Sequence, residues 1–138
     1  MSDTTTQGVR ILVEPEYLPD HSNPAAGQWM HIYHVTITNQ GNEPVQLISR
    51  HWVITNSDGR EEQVRGPGVV GQQPVLENGD SFRYTSGCPL DTPVGTMHGS
   101  YQMVRSDGSR FDAERFGVFF RSSPRQCDVL LVNGPISK

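Results

Sequence analysis

Three glycines, Gly66, Gly68 and Gly71, follow an arginine, Arg65, and a strand-like run that carries Arg50 and His51. The loop Gly66-Pro67-Gly68-Val69-Val70-Gly71 spells G-x-G-x-x-G. In dinucleotide-binding folds such glycines leave a strand, open a helix and let a pyrophosphate approach the helix N-terminus. Asp91, 20 residues beyond Gly71, stands near the position of the acidic residue that holds a ribose. The helix does not fit. Only seven residues separate Gly71 from Gly79, and Pro74 and Asn78-Gly79 interrupt them. Backbone N–H groups can cradle an anion without a helix, but Pro67 removes one donor and the two valines are apolar. The residues predict a glycine-rich connection between strands, with nucleotide or polyphosphate binding as its alternative use. No Gly-Lys-Ser/Thr follows, which excludes a Walker-type loop.

Other reactive side chains form no recognisable constellation. His31 and His34 are three apart on a strand-like run, so they face opposite sides and cannot chelate as a local pair. His21, His51 and His98 have no carboxylate or cysteine at metal-ligand spacing. Ser86-Gly87-Cys88 and Cys127 offer nucleophiles without a strand-turn-helix elbow or a residue to orient a base. Ser49 and His51 share one side of their strand, with Arg50 on the other. The adjacent Glu61 and Glu62 fall on opposite faces of another. No catalytic residue, metal ligand or cofactor is expected.

The elements that position these residues are strands. The 138 residues fit one domain, and fourteen valines against three alanines, with 24 Gly and Pro, favour pleated strands over helices. Period-two alternation marks strands over 9–14, 29–39, 45–56, 61–65, 82–85, 97–105 and 111–120. Pro15 and Pro19 are expected to end the first of these, and Cys88–Gly95 to form a connection. Ile48, Trp52 and Ile54 are expected on one face of the 45–56 strand, with Leu47, Ser49, His51 and Val53 on the other. Asn39-Gln40-Gly41-Asn42, Ser57-Asp58-Gly59, Asn78-Gly79 and Ser106-Asp107-Gly108-Ser109 supply turns. About seven short strands with a central tryptophan predict an all-β, immunoglobulin or fibronectin type III-like sandwich. In it, Trp52 is a core residue and Tyr101 a corner residue.

Residues 1–8 are polar and expected to be flexible, residues 9–120 form the sandwich, and 121–138 is a tail. The tail's apolar run Val129-Leu130-Leu131-Val132 could be an added edge strand, a dimer contact or a packed arm. Net charge is −4, which excludes a global pull toward nucleic acid, and no apolar run is long enough to cross a bilayer. The first eight residues lack the pattern of a signal peptide, and two cysteines 39 positions apart are neither a disulfide framework nor a zinc motif. A cytoplasmic protein is expected.

Several runs resemble a known family. V-Q-L-I-S-R-H-W-V-I-T at 45–55, G-P-G-V-V-G-Q-Q-P at 66–74, Y-T-S-G at 84–87 and P-V-G-T-M-H-G-S-Y at 93–101 look like the ApaG family, also called CorD. The early Val13-Glu14-Pro15-Glu16-Tyr17 fits its V-x-P-x-Y element. Arg115–Phe120 departs from the family's pattern, and the tail beyond Arg121 is additional. The resemblance implies a fibronectin type III-like sandwich in a bacterial cytoplasmic protein, with a genetic link to cobalt resistance and magnesium efflux. It also implies protein binding, the role supposed for related domains in F-box proteins and a polymerase-delta-interacting protein. No catalytic residue comes with it.

The reading that follows is a non-catalytic protein-interaction module. Its expected surface is Arg50, His51, Arg65, Gly66, Gly68, Val69 and Gly71. The alternatives are a nucleotide or polyphosphate site on the Gly66–Gly71 loop, or direct binding of a divalent cation. The partner is a protein the sequence does not identify, with no nucleic acid and no membrane insertion. A homodimer is left open.

Overall fold

The computed structural model describes residues 2–122, apart from the side chains of Arg115 and Phe116. Among the described residues, nine strands form two antiparallel sheets. The first sheet has the order β1-β2-β3-β7, from Ser2–Thr6, Val9–Tyr17, Trp29–Asn39 and Ser81–Leu90. The second has the order β5-β4-β8-β9, from Glu61–Pro67, Val45–Asn56, Val94–Arg105 and Arg110–Arg121. The short β6, Val75–Leu76, also pairs with β4. Two 3-10 turns, Pro19–His21 and Pro24–Ala26, interrupt the β2–β3 connection. The expected all-β sandwich is the fold observed.

Alternation explains which faces are buried. Val9, Ile11 and Val13 of β2 and Val35 and Ile37 of β3 meet Leu47, Trp52, Met97, Tyr101 and Met103 from the opposite sheet. Trp52 is 1% exposed and packs edge-on against Tyr101 at 5.5 Å and Tyr33 at 5.9 Å. The hydroxyls of Tyr84 and Tyr101 meet at 2.5 Å, linking β7 to β8 across the core. His31 is also inside, between the rings of Tyr17 and Phe120, each 5.1 Å away. Its Nε2 has no hydrogen-bond partner among the described residues, and burial lowers its pKa to about 4. His34 points the other way and bonds Glu16 and Thr85, as the alternation predicts.

Four sequence expectations change, three of them at strand ends. Residues 1–8, expected to be flexible, contribute β1. The run Thr4-Thr5-Thr6 is β-branched and strand-favouring, Asp3 pairs with Arg10 at 2.7 Å, and Thr4 Oγ1 donates to the Glu114 carbonyl of β9. Strand β2 does not stop at Pro15. Its partner β1 reaches only Val13, so Pro15 lies on an open edge where a missing N–H is tolerated. Likewise β7 continues through Cys88 and Pro89 to Leu90, because it pairs only with β3 and its other side is an edge. Of the expected tail, 121–138, Arg121 closes β9, and residues 123–138 lie outside the described residues.

The most consequential difference is in β4. Simple alternation puts Ile48 with Trp52, but the β4 residues in the core cluster are Val45, Leu47 and Trp52, the last two at an odd spacing. A β-bulge resolves it: Leu47 pairs with Met103 and Ser49 with Gln102, leaving Ile48 as the extra residue. The bulge shifts the phase, so that Ser49 and His51 face outward beyond it.

Candidate functional site

The bulge also anchors the glycine loop. The Ile48 carbonyl accepts from the Gly68 N–H at 2.8 Å and from Gln73 Nε2 at 2.8 Å. Val69 and Gln72 exchange backbone hydrogen bonds of 2.8 and 2.9 Å, which closes a tight turn. Arg50 completes the frame. Its Nη1 donates to the Gly68 carbonyl at 2.7 Å and the Pro67 carbonyl at 3.3 Å.

Each glycine of the motif then has a structural reason. Arg50 and Gly66 are cross-strand neighbours, and a Cβ on Gly66 would sit 3.2 Å from the guanidinium. Gly68 has φ +60, and a Cβ there would lie 2.1 Å from the Gln72 carbonyl oxygen. Gly71 has φ +79, which side-chain-bearing residues rarely adopt. The Gly68 amide is committed to Ile48 on β4 and those of Val69 and Gln72 to each other, so an incoming phosphate would find few loop amides available.

Two adjacent valines part company at the loop tip. Val69 is 1% exposed and belongs to the hydrophobic core, so it is a packing residue and not part of an accessible surface. Val70 is 57% exposed and has φ +42, an outlier for a β-branched residue. Burial of one valine and exposure of the other depends on the turn, which gives Val70 no sequence signal beyond its place beside Gly71.

Outside this loop, β5, β4, β8 and β9 present a shallow basin of about 700 Å³. The cross-strand register lays the residues in straight rows. Arg65, His51, Ser100 and Glu114 form one row, and Pro67, Ser49, Gln102 and Asp112 the next. Ser49 Oγ donates to Gln102 Oε1 at 2.8 Å, and Gln102 Nε2 to Ser100 Oγ at 2.9 Å. His51 Nε2 meets Gln63 Oε1 at 3.0 Å. Among the described residues Arg65 forms no ion pair, and neither do the carboxylates of Asp112 and Glu114. The structure thus brings Arg50, His51, Arg65 and Gly66 to one basin, with Gly68 and Gly71 in its flanking loop. It adds Ser49, Ser100, Gln102 and Asp112, whose membership depends on the bulge and on pairing between distant strands.

For other chemistry the arrangement offers little. Cys88 lies in the core, 1% exposed and out of reach of a substrate. Among the described residues no three His, Cys, Asp or Glu side chains converge to hold a metal ion. No helix among them is long and apolar enough to cross a membrane.

Comparison with known proteins gives a consistent picture. A family model described as the ApaG domain matches residues 19–105. Protein ApaG of Aromatoleum aromaticum is 48% identical over 125 residues, covering 91% of this chain and 98% of that protein. Protein ApaG of Maricaulis maris is 56% identical over 106 residues, covering 77% and 82%. Among solved structures, an ApaA protein of Bordetella pertussis superposes with a TM-score of 0.83 at 47% identity, over 85% of this chain and 94% of that one.

Proposed function

The chain belongs to the ApaG domain family, and from that premise we propose that it is a non-catalytic protein-interaction module. The recognition surface is the basin on the β5-β4-β8-β9 sheet together with the loop at its side. One observation carries this reading: Val70, an exposed apolar residue, is held with a positive φ at the tip of a braced loop. Strain of this kind persists only where surrounding structure over-determines it, and it gathers at ligand clamps and switches. Arg65, without a carboxylate partner among the described residues, adds a cation of the type enriched in interface hot spots. A rigid frame keeps the entropy cost of docking low.

The nucleotide or polyphosphate alternative draws less support, because three loop amides are already bonded within the protein. Direct cation binding draws least, since no ligand cluster occurs among the described residues. On the favoured reading, any influence on cobalt resistance or magnesium efflux would be exerted through a partner protein in the cytoplasm. The test is affinity capture from a bacterial lysate, comparing the wild type with Arg65→Glu and Val70→Asp by quantitative mass spectrometry. The reading requires a protein recovered by the wild type and lost from both variants; equal recovery by all three would remove this surface from consideration.

A further inference from the structure

The outer face of the β5-β4-β8-β9 sheet carries its charges in a particular order. On β5, Glu61 is followed by Arg65; on β9, Glu114 is followed by Arg121. Register places these four side by side across the sheet. Arg65 shares a row with Glu114, through His51 and Ser100. Glu61 shares a row with Phe119, through Thr55 and Thr96, and the Arg121 guanidinium lies 4.6 Å over the Phe119 ring. Each row therefore ends in opposite charges, and the two rows run in opposite senses. Three strand spacings separate the ends, about 14 Å, too far for the charges to pair within one molecule. None of these carboxylates has an ion-pair partner among the described residues.

Such a pattern is complementary to itself. If two sheets stack face to face about a twofold axis lying in the interface along the strands, β5 of one copy lies over β9 of the other. Arg65 then faces Glu114 of the second copy and Glu61 faces Arg121, and each contact occurs twice. Phe119, 53% exposed, would be covered. An axis running across the strands, midway between the rows, would instead set Glu114 over Arg121 and Arg65 over Glu61. Exchanging the charges of Arg65 and Glu114 preserves complementarity only for the axis along the strands, which is how the two arrangements are told apart. Three twelve-residue strands and the seven-residue β5, at about 3.3 Å per residue and about 4.8 Å apart, give a face of roughly 700 Å², close to the area of about 800 Å² that each partner contributes to a specific interface. We propose that this face is a homodimer interface, with a second copy of the chain as its occupant. The proposal rests on reading the same basin as a recognition surface, and it names one of the partners.

The experiment is sedimentation equilibrium of the wild type, Arg65→Glu, Glu114→Arg and the double variant, at protein concentrations up to about 100 μM. The wild type is expected to approach twice the chain mass. Each single variant sets like charges against each other and should associate at least tenfold more weakly. The double variant restores opposite charges and should dimerise again. An equimolar mixture of the two single variants should also dimerise, because each supplies what the other lacks. A monomeric wild type would overturn the proposal, as would a dimer that the single variants leave intact, or a loss that neither the double variant nor the mixture repairs. A monomeric wild type would leave the lysate capture unaffected. Capture that ignores Arg65 while charge-swap rescue succeeds would instead reject recognition of a foreign partner alone.

Discussion

Val69 and Val70 are neighbours in the chain, yet one is a core residue, 1% exposed, and the other stands 57% exposed at the tip of its loop. The exchange of backbone hydrogen bonds between Val69 and Gln72 turns the first valine in and leaves the second outside. Their substitutions should separate folding from recognition. Val69→Asp puts a carboxylate into the core and is expected to cost at least about 3 kcal/mol. Val70→Asp is expected within about 0.5 kcal/mol of the wild type, and Val70→Gly to gain about 1 kcal/mol by relieving the positive φ. Urea denaturation of the three variants measures this directly.

Arg50 braces the loop through two carbonyls instead of a carboxylate. Arg50→Ala should therefore cost about 1–2 kcal/mol and should speed amide exchange at Gly68, Val69 and Gln72. Arg50→Lys should rescue this only in part, because an ammonium is more strongly hydrated than the guanidinium and sits on a flexible stem. Hydrogen exchange followed residue by residue reads the effect. Unchanged protection in the alanine variant would mean that the loop holds itself.

His31 makes stability depend on pH. Its folded pKa of about 4 lies below the ordinary 6.5, so below pH 6.5 the unfolded chain takes up a proton that the folded core refuses. The stabilisation is present above pH 6.5 and is lost as pH falls toward 4. The loss amounts to about 3 kcal/mol, from 1.36 kcal/mol per pH unit. His31→Phe should flatten the stability curve between pH 7 and 4. An equally steep curve in that variant would assign the acid sensitivity to other groups.

Calorimetric titration with ATP or GTP at millimolar concentration should show no binding heat, since the glycine loop's amides are bonded internally. A saturable heat abolished by Arg65→Glu would revive the nucleotide reading.

Much of this was legible in the residues. The Trp29–Asn39 and Val45–Asn56 strands, the buried Trp52 and the Ser57-Asp58-Gly59 turn follow from alternation and turn chemistry. The missing helix after Gly71 was equally readable, because Pro74 stands in its way. What alternation could not supply was the bulge at Ile48. An extra residue is created by pairing with β8, some fifty residues away in sequence, and nothing local to Leu47-Ile48-Ser49 announces it. The same limit hid β1, whose threonines look like a polar leader until Thr4 finds the Glu114 carbonyl. It also left Val69 and Val70 indistinguishable, and it concealed Ser100, Gln102 and Asp112, which reach the basin only through strand pairing.

The central claim is that this chain acts by presenting the basin and its braced loop to a partner protein. Lysate capture with the wild type, Arg65→Glu and Val70→Asp, all confirmed as folded by circular dichroism, tests it most directly. A protein enriched by the wild type and reduced at least tenfold with either variant is the expected result; equal enrichment with all three would rule this surface out.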